Sequence, residues 1–278
     1  MCKLITMIAA AASLTVASLT SSATANAGAV LDKVLATKTL TVAAGTNWGK
    51  MSFLNDKHEF DGFDVEVAKG VAQHLGVQIK FVTPSWDIVA AGKWQGRWDM
   101  TIGMTPTKAR TELFDFPALY AYQPAVAVVH KDSKATKLSD LDGKVVGATA
   151  NSTLLAYVNH SLIPDWIGAK PIQFQFTPGE VKAYDTSTVA FDDLRLGDGV
   201  RLDAVVTDKT IALDAIGASY PLKLLGGTLF TSPSALVIEL GDKELSDRIA
   251  AAIKGMRDNG TISKLSIKWY GVDYSVEQ

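Results

Sequence analysis

An arginine in a polar turn is a strong candidate in this sequence for binding an anion. Arg110 ends the segment Gly103–Arg110, which reads GMTPTKAR and follows a predicted strand. Its guanidinium offers a planar fork of donors that matches a carboxylate in a bidentate pair. Thr105 and Thr107 add hydroxyl groups, and an unpaired carbonyl in this turn could accept from an ammonium group. The segment alone fits a solvated or helix-capping arginine equally well, so both interpretations stay open here.

Two junctions between a predicted strand and a helix could also bind charged groups. Asp208 follows the predicted strand Leu202–Thr207 and opens a helix, where its carboxylate could either cap the helix or pair with an ammonium group. Asn151, Ser152 and Thr153 lie at another such junction, where backbone N–H groups can bind an anion. Simple helix capping would explain either junction without a ligand.

Two tryptophans follow predicted strands in polar, glycine-rich surroundings. At such positions the face of Trp48 or Trp86 could stack on a ligand and attract its cationic part. Either side chain could instead belong to the core.

Signatures of catalysis and of cofactor binding are missing from the sequence. The four histidines are scattered without the spacing of metal ligands, and neither a G-x-S-x-G elbow nor a P-loop occurs. The Gly197-Asp198-Gly199 run lacks a third glycine and precedes a strand, which excludes a dinucleotide fingerprint. We therefore expect no metal and no cofactor.

The elements that must position these residues alternate β-rich runs with helical patterns. Apolar residues at helical spacing predict a helix over Phe63–Leu75, between buried strands at 40–44 and 77–82. This order continues in a second series after Tyr122 and predicts parallel sheets flanked by helices, with ligands at the carboxyl ends of the strands. The remaining predicted strands are at 100–102, 125–129, 145–148, 204–207 and 222–225, and the remaining helices at 86–94, 153–160, 189–196, 209–216, 243–257 and 261–269.

Composition excludes several classes of protein. Apolar residues make up 47% of the chain and charged residues 20%, as in ordinary folded proteins and unlike disordered or fibrous ones. The formal net charge is -2, so nothing indicates binding to nucleic acid or to an anionic membrane surface.

The first 27 residues differ from the rest of the chain. Lys3 precedes an apolar stretch, Leu4–Leu19, and the small residues at 23–27 offer two cleavage sites. These are the three regions of a secretory signal peptide, and the stretch is too short and too rich in Ala, Ser and Thr to favour a membrane anchor. The only cysteine, Cys2, precedes the apolar stretch and is poorly placed for lipid attachment. We therefore expect a signal peptide at residues 1–27 and a periplasmic protein.

Five segments, in order along the chain, resemble the amino-acid-binding periplasmic proteins of ABC transporters. The family signatures are G-F-D-[LV]-[DE]-[LV]-A, T-[IV]-T-x-x-R, D-F-S-x-P-Y, G-x-x-D-A-x-x-x-D, and D-G-T with K-W-F-G. The matching segments are Gly62–Ala68, Thr105–Arg110, Phe114–Tyr120, Gly199–Asp208, and Asn259–Thr261 with Lys268–Gly271.

This resemblance implies a type II periplasmic-binding-protein fold, an α/β class. Two lobes, each a mixed and mostly parallel sheet flanked by helices, would be joined by a two-strand hinge near 118–122 and 228–234. The implied boundaries are 28–120 for the first part of lobe 1, 121–230 for lobe 2 and 231–278 for the return segment of lobe 1. Closure about the hinge would be selected by ligand.

The resemblance also implies roles for the candidate residues. Arg110 would hold the α-carboxylate of an amino acid, helped by Thr105 and by N–H groups around Ser152 and Thr153. Asp208 would take the α-ammonium group together with the Thr105 hydroxyl. The remaining implied ligand residues are a carbonyl of Gly103 or Met104 for the ammonium group, and Trp48 and Trp86 flanking the ligand.

Three positions depart from the family pattern. The segment from Asp99 to Arg110 is one residue shorter than usual, and Asn151 stands where the family usually has glycine. Gly45 occupies a position where some members place an acidic residue that binds the ligand side chain. Without that acidic residue a cationic side chain is less favoured, so a polar or neutral amino acid is expected.

The predicted function is capture of an α-amino acid by an exported monomeric protein that delivers it to the permease of an ABC transporter. One alternative is an exported dehydratase or lyase acting on a prephenate-like acid. Such an enzyme needs a general acid near its leaving group, and none can be placed in the sequence. A second alternative is a sensory module that presents its closed form to a separate receptor.

Overall fold

One mixed β-sheet runs through the part of the chain that this computed structural model describes, residues 28–166 and 168–277. The predicted signal peptide at 1–27 lies outside the described residues. The strands in chain order are β1 (Thr39–Ala43), β2 (Phe53–Leu54), β3 (Phe60–Asp61), β4 (Gln78–Val82), β5 (Met100–Met104), β6 (Phe114–His130), β7 (Val145–Thr149), β8 (Glu180–Tyr184), β9 (Ala204–Asp208) and β10 (Leu222–Glu239). Within the described ranges, eight of them form the sheet in the order β4-β1-β5-β10-β6-β9-β7-β8, and β2 pairs with β3.

Helices connect most of these strands. They are α1 (Ala29–Thr37), α2 (Phe63–Leu75), α3 (Trp86–Ala90), α4 (Lys108–Thr111), α5 (Thr153–Val158), α6 (Ser187–Leu194), α7 (Lys209–Gly217), α8 (Lys243–Asp258) and α9 (Thr261–Tyr270). Strand β1 lies parallel to β4 and β5, and β7 lies parallel to β8 and β9. The sheet is therefore parallel at both ends, as the sequence predicted for an α/β protein.

The two central strands join the two ends of the sheet. Strands β6 and β10 have 17 and 18 residues and pair antiparallel along most of their length. Strand β5 pairs with the carboxyl-terminal half of β10, whereas β9 pairs with the carboxyl-terminal half of β6. The predicted hinge segments at 118–122 and 228–234 lie inside these two strands. We call the β4-β1-β5 end the first lobe and the β9-β7-β8 end the second lobe.

Each lobe has its own hydrophobic core. In the first lobe, helix α2 buries Phe63, Val67 and Val71 against the sheet, and helix α8 adds Ile249 and Ile253. In the second lobe, buried side chains of β6, β7 and β9 pack against α5 on one face and against α6 and α7 on the other. Each fully buried aliphatic or aromatic side chain contributes about 1.5 to 3 kcal/mol to folding. Each lobe is thus built around buried side chains of its own part of the sheet, and Met51 of the first lobe packs against the second-lobe cluster. Within the described ranges, β6 and β10 run from one lobe to the other and give the fold its two-lobe form.

Some element boundaries differ from the sequence prediction. The helix expected over 86–94 ends at Ala90, because Gly92 and Lys93 take left-handed backbone conformations with φ of 70° and 59°. Trp94 then turns into a buried aromatic cluster with Trp98 and Phe114. Helix α1 and strand β8 were not predicted. The short strands expected at 125–129 and 222–225 are parts of the two long central strands.

Among the described residues, no helix is long and apolar enough to cross a membrane. No group of His, Cys, Asp or Glu side chains within the same ranges could hold a metal ion.

Candidate ligand-binding site

A cavity of about 90 Å³ lies between the two lobes, at the carboxyl ends of their strands. Loops after β1 and β5 line it from the first lobe, and loops after β7, β8 and β9 line it from the second. The lining residues are Asn47, Trp48, Met51, Trp86, Gly103, Thr105, Arg110, Gln123, Thr149, Ser152, Thr153, Leu154, Asp185, Thr186, Ser187, Asp208, Ile211, Ser232 and Ser234.

Arg110 supplies a positive charge to this cavity. Its side chain emerges from the short helix α4 and donates to two backbone carbonyls, that of Thr105 at 3.0 Å and that of Asn151 at 2.9 Å. These bonds hold the guanidinium in place and leave further N–H donors. Burial lowers the pKa of Arg110 to about 10, and the side chain forms no ion pair within the described part of the chain. A buried guanidinium without a carboxylate partner favours an anionic ligand.

Asp208 supplies a negative charge from the opposite lobe. It is the last residue of β9 and precedes α7, but its side chain does not cap that helix. Within residues 28–166 and 168–277 its carboxylate forms neither a hydrogen bond nor an ion pair. Burial raises the pKa of Asp208 from its ordinary value to about 7. The helix-capping interpretation of this aspartate is therefore wrong, and its carboxylate faces the cleft.

Trp48 and Trp86 form an aromatic wall of the cavity. Their rings meet edge to face with centroids 5.9 Å apart, and the Arg110 guanidinium lies 5.7 Å from the centroid of the Trp86 ring. Both tryptophans also pack partly against core residues. Gly45 makes room for Trp48, since a Cβ at that position would lie 2.2 Å from the indole. The indole thus occupies the space that a side chain at position 45 would need.

The turn after β5 contributes unequally to the site. Thr105 and Gly103 line the cavity, and the Thr105 carbonyl holds Arg110. The side chain of Met104 is fully buried in the core cluster with Val89 and Trp94, so it does not line the cavity. Of the two carbonyl groups proposed from the sequence for the ammonium group, only that of Gly103 belongs to a lining residue.

The junction between β7 and α5 closes the opposite wall. Ser152 and Thr153 line the cavity, and the Ser152 hydroxyl accepts from the Leu155 N–H at 3.1 Å and donates to the Thr149 carbonyl at 2.5 Å. The Ser152 side chain is therefore a helix cap, which leaves backbone N–H groups for a ligand. Asn151 has φ of 53°, a conformation that asparagine adopts more readily than most residues, which explains how it replaces glycine here.

Several lining residues were missed by the sequence analysis. Gln123, Ser232 and Ser234 come from the two central strands, and the Gln123 Nε2 is buried without a hydrogen-bond partner among the described residues. Asp185 and Thr186 follow the unpredicted strand β8. The strands predicted at 125–129 and 222–225 were too short to reach the cleft, so the residues of the central strands that line it were missed. Strand β8 was not predicted, and predicting it would have placed Asp185 at the carboxyl end of a strand.

Hydrogen bonds tie the two lobes together around the cavity. The Trp86 Nε1 donates to the Asn151 carbonyl at 3.3 Å, the same carbonyl that accepts from Arg110. On the other side the Thr188 hydroxyl donates to the Asn47 carbonyl at 3.0 Å. The lobes are therefore closed over the cavity in this structure.

A second buried carboxylate lies behind the cavity wall. A Cβ on Gly103 would lie 3.3 Å from the Asp64 Oδ2, so Asp64 sits directly behind this lining residue. Burial raises the pKa of Asp64 to about 7, the Tyr120 hydroxyl partly opposes this effect, and the charge of Asp208 adds to it. Asp64 does not line the cavity, and its charge acts on the site only through the wall.

The geometry suits a small molecule that carries both an anionic and a cationic group. The family described as bacterial extracellular solute-binding proteins, family 3, matches residues 40–272.

This chain belongs to that family.

Known members and solved structures agree with this placement in family 3. The L-cystine-binding protein TcyJ of Escherichia coli (strain K12) is 29% identical over 249 residues, covering 88% of this chain and 87% of that protein. An ancestral arginine-binding protein, solved with glutamine and also with arginine, is 30% identical with a TM-score of 0.72 and covers 84% of this chain. The match spans 98% of the glutamine-bound chain and 99% of the arginine-bound chain.

One further solved structure bears on the enzyme alternative. The ancestral amino acid-binding protein AncCDT-1, a precursor of cyclohexadienyl dehydratase, is 26% identical with a TM-score of 0.73, covering 86% of this chain and 99% of its own. Like the other two relatives of this family 3 protein, it is described as a binding protein.

Proposed function

We propose that this protein captures one α-amino acid between its lobes and delivers it to an ABC transporter. The observation that carries the proposal is a pair of unpaired charges in one cavity, Arg110 from the first lobe and Asp208 from the second. The α-carboxylate and α-ammonium groups of an amino acid complement this pair. The cystine, arginine and glutamine bound by the relatives share these two groups.

The remaining site residues complete the recognition of the α-carbon groups. Arg110 binds the carboxylate, with N–H groups at Ser152 and Thr153 as further donors. Asp208 binds the ammonium group, together with the Thr105 hydroxyl and the Gly103 carbonyl. Support for these roles comes from the positions of all six residues around one cavity. Trp48 and Trp86 pack on the ligand from the aromatic wall of the cavity.

The lobes act as a clamp about β6 and β10. Residues 28–120 and 231–278 form the first lobe and residues 121–230 the second, with bending in the two central strands. Because the charges of Arg110 and Asp208 lie on opposite lobes, a bound zwitterion stabilises the closed form over the open one. In this proposal both charged groups serve binding, and the clamp releases the amino acid chemically unchanged.

Export, oligomeric state and the transporter complete the proposal. Residues 1–27 direct the chain to the periplasm as a signal peptide and are removed there. The protein works as a monomer, and the closed form docks on the permease of the transporter. Membership of an extracellular solute-binding family supports this location.

A thermal-shift screen against the common amino acids, with a few keto acids and prephenate, tests the proposed function. A ligand at 100 times its Kd should stabilise the refolded protein by about 2.7 kcal/mol. Arg110→Ala should then weaken binding by about 2 kcal/mol or more, roughly 30-fold in Kd, because the carboxylate loses a buried partner. Lys108→Ala is the matched control, since Lys108 is exposed and does not line the cavity. Stabilisation by prephenate or a keto acid, with none from any amino acid, would contradict the proposal.

A further inference from the structure

The cleft carries one more carboxylate than the α-groups of an amino acid require. Asp185 lies in the loop between β8 and α6 and lines the same cavity as Arg110 and Asp208. Its side chain is exposed and, in the described part of the chain, forms neither a hydrogen bond nor an ion pair. Arg110 pairs with the α-carboxylate of the ligand and Asp208 with its α-ammonium group. Neither of these two ligand groups is left to pair with the Asp185 carboxylate.

The space for a ligand extends past Asp185. A second cavity of about 140 Å³ adjoins it, and five residues line both: Asn47, Trp48, Trp86, Asp185 and Thr186. An amino acid held at Arg110 and Asp208 therefore has room to extend its side chain along the two tryptophans. Asp185 stands at the point where the two cavities meet.

The charged residues that line the second cavity, Asp87 and Asp185, are both acidic. Among the described residues that line the two cavities, Arg110 is the only cation, whereas Asp87, Asp185 and Asp208 are acidic. Asp87 lies on the first lobe, in the first turn of α3, so the extension has a carboxylate on either side. The indole faces of Trp48 and Trp86 also attract a cation.

The loop that carries Asp185 is held in place when the lobes close. The Thr186 hydroxyl accepts from the Val189 N–H at 3.3 Å and from the Asn47 Nδ2 at 3.4 Å. The Thr188 hydroxyl bonds to the Asn47 carbonyl on the first lobe. The hydrogen bonds between the closed lobes therefore fix the position of the loop that carries Asp185, as specific contact with a ligand requires.

We propose that Asp185 binds a cationic group at the distal end of the ligand side chain, which makes the preferred ligand an α-amino acid with a second ammonium or guanidinium group. This inference rests on the proposed function, because it assumes that Arg110 and Asp208 hold the α-groups. It departs from the sequence expectation of a polar or neutral side chain, which rested on Gly45 of the first lobe. The carboxylate of Asp185 comes from the second lobe instead.

Calorimetric titration of the purified protein with arginine, lysine, cystine and glutamine tests this inference. Arginine and lysine carry a lone distal cation, cystine carries a distal ammonium beside a carboxylate, and glutamine is a neutral control of similar length. We expect the tightest ligand to be among the first three. Asp185→Asn should weaken that ligand by about tenfold or more and leave glutamine within about twofold, because only the cation loses a charged partner.

Two further variants keep the test sharp. Asp185→Glu should retain most of the affinity, whereas Asp56→Asn, at an exposed position away from both cavities, should change nothing. Equal weakening of glutamine and of the cationic ligands by Asp185→Asn would overturn the inference, as would tighter binding of glutamine by the unmodified protein. Failure to bind any amino acid would instead contradict the proposed function itself.

Discussion

At the scale of single residues, the site is defined by charges that the protein leaves unpaired. Burying a charge without a partner costs several kcal/mol, so such groups are rare in a folded chain, and those that line a cavity indicate a binding site. Arg110 and Asp208 are two such groups on opposite walls of one cavity. Their residue types and their positions at strand ends were visible in the sequence. Their lack of partners was not, because it depends on which side chains the fold brings near.

The raised pKa of Asp208 predicts a pH dependence of ligand binding. Burial raises this pKa to about 7, whereas an ammonium group bound beside it would keep the carboxylate ionised. Below pH 7 the free protein holds a proton that must leave on binding, so the apparent Kd should rise by up to about tenfold per pH unit. Calorimetry at pH 5.5, 6.5 and 8 measures this change.

Asp64 provides the control for that titration, because its pKa is also raised to about 7. It lies behind Gly103 and outside the cavity, so Asp64→Asn should keep the pH dependence of binding. Its midpoint should move to lower pH, because the repulsion between the Asp64 and Asp208 carboxylates is lost. Asp208→Asn should bind weakly and show a flat profile. If the pH dependence of binding disappeared in Asp64→Asn and persisted in Asp208→Asn, the titrating group would be Asp64, and the prediction for Asp208 would be wrong.

At the scale of elements, the sequence predicted best where a single pattern decides the structure. Helix α2 was predicted with its observed bounds, Phe63–Leu75, because its apolar spacing and flanking glycines agree. Strands β6 and β10 were predicted only in part, since long hinge strands pass from one core to the other and their burial pattern changes along the way. The site residues on those strands, such as Gln123, were missed for the same reason.

The two glycines that bound α2 should differ in how much they tolerate alanine. Gly62 has φ of 125°, and a Cβ there would lie 2.6 Å from the Met51 carbonyl oxygen, a backbone atom that cannot move aside easily. Gly76 has φ of 70° with nothing within 4 Å of its Cβ position. Gly76→Ala should therefore cost about 1 to 2 kcal/mol of unfolding free energy through the left-handed conformation alone, and Gly62→Ala clearly more.

Urea denaturation of the two alanine variants checks this difference. Equal losses of unfolding free energy would mean that the loop at Met51 can shift without cost. The contact between Gly62 and this loop would then not be needed to keep Met51 in place beside the cavity.

At the scale of the whole molecule, closure is a balance between the contacts that join the lobes and two unpaired charges. Hydrogen bonds such as those to the Asn151 carbonyl hold the lobes together, and each contributes about 1 kcal/mol. Opening would return Arg110 and Asp208 to water, which favours the open form when no ligand balances them. A ligand that bridges the two charges reverses this preference, and it can shift the equilibrium only by its difference in affinity for the two forms.

Removing one interlobe hydrogen bond should therefore weaken ligand binding without touching the ligand. The Thr188 hydroxyl bonds across the lobes to the Asn47 carbonyl and does not line the binding cavity. Thr188→Ala should lower the closed population and raise the apparent Kd by about two- to tenfold, since the ligand must supply the lost closing free energy. Thr37→Ala is the matched control, because the Thr37 hydroxyl bonds within the first lobe to the Lys33 carbonyl.

Small-angle scattering with saturating ligand should show the same compact form for both variants and for the unmodified protein. Without ligand, all three should be more extended, and a radius of gyration that stays the same with and without ligand would mean that the lobes do not act as a clamp.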